Sequence, residues 1–234
     1  MIKHTEKELL LLRDEVSRMW QLVLSQLEKS KQAMLDNDLE LAHEVISREK
    51  RVDAFELKVS ADGENYIALY SPVAVDLRLV LALIRICGTL ERIGDFAEGI
   101  ARFVIANTSP AMIQALKEPL QLKRMFEKVI SMLSESFVLL ESENTKLSGK
   151  ILIKDEAVDE LYHNALEVLA AHIGKNPADA VCALETMIVL RKIERVGDHC
   201  SNIVEEIVFY VDAKVLKHHH KNNEPDAPRN KKEF

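Results

Sequence analysis

Apolar residues recur every three or four positions over most of this chain, and this spacing constrains its fold more than any other feature. Between positions 83 and 104 the apolar series runs Leu83, Ile86, Leu90, Ile93, Ala97, Ile100 and Val104. Such a period places apolar side chains along one face of an α-helix. Only seven Gly and six Pro occur in 234 residues, which is few for the turns of a β-fold or the loops of a parallel α/β fold. The sequence therefore predicts an all-α protein.

Candidate breaks divide this helical pattern into six long helices. They lie approximately at 4–35, 38–69, 72–107, 111–145, 149–173 and 177–215. Two of the breaks, Ser71-Pro72 and Asn176-Pro177, combine a residue that caps helix N-termini with a proline suited to the first helical position. We therefore expect helices that begin at Pro72 and Pro177, each joined to the preceding helix by a tight turn.

The third and sixth helices carry almost the same pentapeptide, ERIGD at 91–95 and ERVGD at 194–198. The two copies are 103 residues apart. The preceding helices match as well, at an offset of 106 residues, through Glu49 and Asp53 in one copy and Asp155 and Asp159 in the other. An internal repeat of this length predicts two copies of one three-helix unit.

We expect the repeat to produce two tandem three-helix bundles. Residues 1–108 form the first predicted repeat, and residues 109–216 form the second. Residues 217–234 are polar, contain three adjacent histidines and two prolines, and lack apolar periodicity. A segment of this composition buries too little apolar surface to become ordered, so we predict a disordered polar tail.

Each acidic pair places two carboxylates four residues apart on one helix, where like charges repel by about 0.2–0.5 kcal/mol. Positions equidistant from a tight turn lie side by side on antiparallel helices. The acidic pairs of the first repeat are equidistant from Pro72, and those of the second repeat from Asn176-Pro177. We therefore expect two four-carboxylate sites. The first acidic cluster comprises Glu49, Asp53, Glu91 and Asp95, and the second acidic cluster comprises Asp155, Asp159, Glu194 and Asp198.

A cluster of carboxylates attracts a cation, and oxygen-only ligands suit Mg²⁺, Ca²⁺, Mn²⁺ or iron rather than structural zinc. Glu98 and Glu205 lie on the same helix faces as the two pentapeptides and are candidate additional ligands. A second interpretation stays open. In it, each cluster is a solvated acidic stripe that neighbours such as Arg102 and Arg191 partly neutralise.

Composition argues against several other classes of protein. The net charge is −7 and the basic residues are dispersed, so no nucleic-acid partner is expected. The longest apolar run, 79–84, is far shorter than the roughly 20 residues that cross a bilayer, so we expect no membrane insertion. Three cysteines without a CxxC pair fit a reducing cytoplasm.

The sequence contains neither a GxxxxGK[ST] loop nor a GxSxG elbow, and we predict that it is not an enzyme.

These motifs together resemble those of the PhoU family of phosphate-signalling proteins. The family pattern E(D)xxxD is matched at 49–53, 91–95, 155–159 and 194–198. The third helix opens with Pro72-Val-Ala-Val-Asp-Leu-Arg78, which is also similar to the family, as is the stretch 194–199 followed by Asn202-Ile203. The resemblance covers about residues 5 to 215 and implies the same doubled three-helix bundle.

The resemblance also implies a set of site residues. The eight acids of the two clusters would carry multinuclear metal ions, with iron as the first candidate and manganese or magnesium as alternatives. Glu98, Asn202 and Glu205 would support the ligands or add to them. Arg78 lies in the first turns of the third helix, where we consider it a candidate contact to another helix or to a partner.

The role implied by the family is regulatory. It suggests a cytoplasmic protein that negatively regulates phosphate ABC transport through the transporter's ATPase subunit. It also suggests a part in phosphate-starvation signalling, through a phosphate-sensing histidine kinase. Members of the family are commonly homodimers, and we expect a homodimer here.

The main rival is a di-metal carboxylate protein of the ferritin-like kind, either an oxidase or a metal-storage protein. Such proteins need a Glu-x-x-His string on each of two helices, besides two further glutamates. Glu40 to His43 and Glu160 to His163 match that string. They are 120 residues apart, however, and therefore do not follow the internal repeat. A metal-free helical scaffold that acts only through surface contacts is a third interpretation.

Overall fold

The computed structural model describes the backbone of residues 2–215 and the side chains of residues 5–215. Over that range the chain is helical and contains no β-strand. The α-helices are α1 Ile2–Asp36, α2 Leu39–Tyr70, α3 Ala74–Ala106, α4 Pro110–Leu116, α5 Leu122–Ser142, α6 Ser148–Lys175 and α7 Ala180–Asp212. Short 3₁₀ helices precede α6 and α7, at Thr145–Leu147 and Pro177–Asp179. The predicted disordered tail lies outside the described residues.

The described residues form seven α-helices, so the expectation of six was wrong. The fourth predicted helix is divided into α4 and α5 by a turn at 117–121. Pro119 explains the division, because proline has no backbone N–H and its ring clashes with the carbonyl four residues earlier. Gln121 then adopts a left-handed conformation with φ 51°, and α5 begins at Leu122. The apolar period alone gave no sign of this break.

The two tight turns exist, but neither proline starts an α-helix. Helix α2 ends at Tyr70, and the N–H of Ser71 closes it by donating to the carbonyl of Ile67 at 3.0 Å. Helix α3 begins only at Ala74. Pro177 likewise opens the 3₁₀ helix that precedes α7. Both connections are nevertheless short, and each joins a pair of packed helices.

Two groups of helices pack around a shared apolar core. Helices α1, α2 and α3 contact one another, as do α5, α6 and α7. Contacts of α1 with α5 and of α3 with α7 join the groups. Trp20 on α1 is fully buried, and its Nε1 donates to the carbonyl oxygen of Leu133 on α5 at 3.1 Å. The assignment of two bundles to residues 1–108 and 109–216 stays a prediction.

Helices α3 and α7 form a long antiparallel pair at the centre of the molecule. At one end Arg78 Nε donates to the carbonyl oxygen of Tyr210 at 3.1 Å, and at the other Cys182 Sγ lies 3.2 Å from Asn107 Oδ1. This pair carries both ERxGD pentapeptides and so places the two acidic clusters on neighbouring helices. Within the described range, no helix combines the length and the apolar character that a membrane span requires.

Candidate functional site

The first acidic cluster lies on the packed pair of helices α2 and α3. Glu49 on α2 is 8% exposed, although it is a carboxylic acid. A Cβ atom added at Gly94 on α3 would lie 3.5 Å from both carboxylate oxygens of Glu49 and 3.2 Å from Val52 Cγ1. Both Glu49 contacts would be ordinary van der Waals contacts, whereas the contact with Val52 would need a small shift. Glu49 therefore packs directly against the α3 backbone at Gly94.

The acids of the first cluster interact electrostatically. Burial raises the pKa of Glu49 to about 7, with a hydrogen bond from Gln26 acting in the opposite sense and Asp95 adding to the rise. Burial also raises the pKa of Glu91, and Asp95 raises it further. The pKa of Asp95 is raised by burial and then by Glu98. Glu49 on α2 and Asp95 on α3 therefore lie close enough for their charges to interact.

Gln26 supports this cluster from α1 and was not identified from the sequence. Its side chain is fully buried. Nε2 donates to Glu49 Oε2 at 3.2 Å and lies 3.4 Å from the carbonyl oxygen of Val45. One signal was available, because Gln26 interrupts the apolar face of α1 between Val23 and Leu27. A polar residue at such a core position usually has a partner on another helix.

The second acidic cluster is more compact. Asp159, Glu194 and Asp198 each offer a carboxylate oxygen, and these three oxygens lie within 4.8 Å of one another. Between residues 5 and 215, this is the one group of three potential metal-ligating side chains so close together. Glu194 is 7% exposed, and Arg191 Nη1 lies 3.1 Å from its Oε1. Burial raises the pKa of Glu194 to about 7, and Asp198 adds to the rise.

Asp155, the fourth acid of the second cluster, is held against α7. Ser201 Oγ donates to Asp155 Oδ2 at 2.8 Å. A Cβ atom added at Gly197 would lie 2.6 Å from Asp155 Oδ1, which is closer than real Cβ atoms come. Gly197 therefore leaves the space that this carboxylate occupies. Ser201 was also missed in the sequence, where nothing distinguishes it from other serines.

The remaining predicted site residues occupy different surroundings. Glu98 forms an ion pair with Arg102, with Oε1 2.6 Å from Nη2. Asn202 faces an open groove of about 590 Å³ between α3 and α7, which Glu91 and His199 also line. Glu205 is partly exposed and lies one turn beyond Ser201 on α7. That Glu98, Asn202 and Glu205 support the metal ligands or add to them stays a prediction.

Arg78 contacts the same chain. Its guanidinium reaches α7 through the hydrogen bond to Tyr210 and is partly buried there. The guanidinium therefore ties the start of α3 to the end of α7. A partner contact by Arg78 stays a prediction.

The clusters can be compared with what a hard cation requires. Glu49 Oε1 and Glu194 Oε2 are both buried, and neither has a hydrogen-bond partner among the residues that the structure describes. A buried carboxylate oxygen without a partner is costly, and carboxylate oxygens are the ligands preferred by Mg²⁺, Ca²⁺ and Mn²⁺. Arg102 and Arg191 neutralise part of the charge, as the solvated-stripe interpretation requires. A bound cation would give both buried oxygens a ligand.

The comparison with known families identifies the fold and the motifs together. The family model described as the PhoU domain matches the chain twice, over residues 16–104 and 122–207. The chain belongs to the PhoU family. The two matched segments contain all eight acids of the acidic clusters. The predicted resemblance to PhoU is thereby confirmed.

Individual PhoU proteins are similar over most of their length. A PhoU homolog from Aquifex aeolicus, named a phosphate-specific transport system accessory protein, is 33% identical over 215 residues, covering 92% of this chain and 96% of that protein. The accessory protein PhoU of Edwardsiella tarda is 30% identical over 92% of this chain and 89% of its own length. The crystal structure of PhoU from Pseudomonas aeruginosa superposes with a TM-score of 0.81 at 26% identity, over 89% of this chain and 99% of the other.

Proposed function

We propose that this PhoU-family chain is a cytoplasmic accessory protein of phosphate transport that regulates uptake through protein contacts and is not an enzyme. One observation carries the proposal. The similarity to relatives named phosphate-specific transport system accessory proteins extends over 92% of this chain, at up to 33% identity. The segments of this chain that match the family model, 16–104 and 122–207, contain both pentapeptides.

The proposed mode of action is negative regulation. The protein binds the ATPase subunit of the phosphate ABC transporter and restrains transport when phosphate is plentiful. It also contacts the phosphate-sensing histidine kinase and thereby limits phosphate-starvation signalling. The 33-residue helices α3 and α7 are about 50 Å long at 1.5 Å per residue, which is long enough to present a rigid surface to either partner.

The acidic clusters supply the proposed metal sites. The first cluster would hold metal through Glu49, Asp53, Glu91 and Asp95, and the second through Asp155, Asp159, Glu194 and Asp198. Iron is the first candidate, with manganese or magnesium as alternatives, in multinuclear sites. A bound cation supplies positive charge that offsets the repulsion among the acids. The acids in turn hold α2 against α3 and α6 against α7, which determines the shape of the surface shown to partners.

The proposal is tested with the purified full chain and the transporter's ATPase subunit. We expect the two proteins to co-elute in gel filtration and the chain to lower the rate of ATP hydrolysis by the assembled transporter. Asp95→Asn combined with Asp198→Asn removes one ligand from each cluster and is expected to weaken both effects. Lys123→Gln alters an exposed residue of α5 outside the clusters and serves as the control.

A second test uses cells that lack this gene. We expect a phosphate-starvation reporter to be active in high phosphate, and the wild-type gene to repress it again. No association with the ATPase subunit or the kinase, together with a reporter that ignores the deletion, would contradict the regulatory proposal.

The homodimer is part of the same proposal. Light scattering coupled to gel filtration is expected to give a mass near twice 26.6 kDa. A mass that equals one chain at all concentrations tested would exclude it.

The ferritin-like alternative gains no support from the positions of its proposed ligands. Ferritin-like ligands project inward from the helices of a bundle. Glu40, His43, Glu160 and His163 are instead all exposed. His163 Nδ1 lies 2.7 Å from the carbonyl oxygen of Asp159, on its own helix. No specific observation therefore favours an oxidase or a storage protein.

A further inference from the structure

Matching side-chain hydrogen bonds join α2 to α1 and α6 to α5. Arg48 Nη1 donates to Ser25 Oγ at 3.3 Å, and Lys154 Nζ donates to Ser131 Oγ at 2.7 Å. Both residues of the second hydrogen bond follow those of the first by 106 residues. That is the offset that relates the acids of α2 to those of α6. Helix α1 therefore has the same register against α2 as α5 has against α6.

This register makes Met132 on α5 the counterpart of Gln26 on α1. Both side chains are fully buried. Gln26 donates a hydrogen bond to Glu49, whereas the thioether of methionine has no hydrogen to donate. In the second half, Asp155 is the counterpart of Glu49, and it accepts its hydrogen bond from Ser201 on α7. The corresponding acids are therefore held by different helices.

The contact between Gln26 and Glu49 leaves two oxygens available. Gln26 Oε1 and Glu49 Oε1 are buried, and over the described part of the chain neither has a hydrogen-bond partner. Only Nε2 and Oε2 of the two side chains meet, at 3.2 Å. Burying such oxygens is unfavourable unless a further ligand satisfies them. The arrangement thus restricts Glu49 from α1 while keeping one carboxylate oxygen free for coordination.

We propose that Gln26 is a positioning residue that orients Glu49 for cation binding at the first acidic cluster. This inference rests on the proposed metal-binding function. A ligand that is already held by an outer hydrogen bond loses less freedom when it coordinates, and removal of such a partner typically costs about 10–100-fold in metal affinity.

The same hydrogen bond connects the first cluster to a third helix. A cation at that cluster acts on α2 and α3 through its ligands and on α1 through Gln26. The support that Ser201 gives to the second cluster remains between α6 and α7. Cation binding at the first cluster is therefore expected to reach α1, while Met132 on α5 has no hydrogen to donate to the second cluster.

Titration of the full chain with Mn²⁺, followed by the electron paramagnetic resonance signal of the free ion, tests the inference. We expect two classes of site in the wild type, one at each cluster. Gln26→Met copies the residue of the second half and is expected to weaken the class at the first cluster about tenfold, without altering the class at the second. Met132→Leu is the matched control at the equivalent buried position and is expected to change neither class.

Two ligand variants distinguish the possible outcomes. Asp95→Asn is expected to remove the class at the first cluster, and Asp198→Asn the class at the second. If the wild type binds no Mn²⁺, the metal-binding proposal fails and the inference fails with it. If Asp95→Asn removes one class but Gln26→Met leaves the affinity of that class unchanged, metal binding stands and the role of Gln26 is wrong. The role of Gln26 is also wrong if Gln26→Met lowers only the thermal stability of the metal-free protein. A Gln26→Met variant that weakens only the class removed by Asp198→Asn would likewise overturn the inference.

Discussion

The two acidic clusters share a motif and a helix pairing but differ in how their acids are arranged. In the second cluster, Asp159, Glu194 and Asp198 bring three oxygens within 4.8 Å. In the first cluster, whose acids all lie within the described residues 5–215, no three carboxylates come that close together. There Gln26 on a third helix, α1, holds Glu49. A sequence repeat thus preserves which helices pair, because apolar periodicity determines this. It does not preserve the polar contacts around the acids, because single substitutions change them.

The largest expected effect is a loss of stability of the metal-free protein as the pH rises. The pKa values of Glu49 and Glu194 are raised from 4.5 to about 7 in the folded state. A raised folded-state pKa stabilises the fold fully below the unfolded pKa, and this contribution is lost as the pH rises through the folded value. Each group accounts for up to roughly 3 kcal/mol of unfolding free energy. Denaturant unfolding in the presence of a chelator, between about pH 4.5 and 7.5, measures it.

Single variants divide this pH effect between the clusters. Glu49→Gln and Glu194→Gln should each remove about half of the decline, because the two acids have similar pKa values. An unfolding free energy that stays constant or increases over this pH range would show that these glutamates are not as strongly buried in solution as in the structure.

Metal binding is expected to have the opposite pH dependence and a slightly smaller effect. Divalent cations bind the ionised carboxylates, so their stabilisation increases with pH. At a free Mn²⁺ concentration about 100 times the dissociation constant, each occupied site contributes about 2.7 kcal/mol. Asp95→Asn should remove the stabilisation that Mn²⁺ gives at the first cluster, and Asp198→Asn the stabilisation that it gives at the second. Thermal melting with and without Mn²⁺ measures both, and identical Mn²⁺ responses in all variants would refute the assignment.

Glu98 on α3 and Ser201 on α7 occupy matching positions of the repeat, and their loss is expected to cost different amounts of stability. Ser201→Ala removes the hydrogen bond to Asp155 and is expected to cost about 1–2 kcal/mol, because the hydroxyl is buried and its partner is a carboxylate. Glu98→Ala removes an ion pair in which Arg102 is largely exposed, and it should change stability by less than about 1 kcal/mol. Urea denaturation gives both values. Equal costs would show that the two positions support their clusters equally.

The smallest expected effect distinguishes the two motif glycines. Alanine improves helix propensity by up to about 1 kcal/mol at either position. At Gly94 the new Cβ would meet Val52 at 3.2 Å, which a small shift relieves. At Gly197 it would lie 2.6 Å from Asp155 Oδ1 and displace that carboxylate from Ser201. We therefore expect Gly94→Ala to be nearly neutral and Gly197→Ala to be less stable by about 1 kcal/mol. Thermal melting of the two variants side by side decides this.

Most of the helical architecture could be predicted from the sequence, because apolar periodicity is a local property that the printed residues display directly. The break at Pro119 was missed, since the apolar period continues on both sides of it. The prolines at 72 and 177 marked the right turns but the wrong helix starts. There the α-helices begin two and three residues later, at Ala74 and Ala180, and local propensity does not specify that number.

The pairing of the acids also followed from the sequence, since antiparallel helices joined by short turns have a calculable register. Whether those acids bind metal stays a prediction. Gln26 and Ser201 could not be assigned from sequence, because their partners Glu49 and Asp155 lie on other helices at distances of 23 and 46 residues along the chain. Only packed helices bring such side chains within hydrogen-bond distance.

The sequence by itself determined the helical class, the repeated acidic motifs and the family, because each is carried by residue types at fixed spacings. The tertiary structure alone decided which acids are buried, which helix supports each of them, and why a glycine stands inside the second motif. Burial and hydrogen bonding depend on the neighbouring helix, and a chain seen one residue at a time does not show that neighbour.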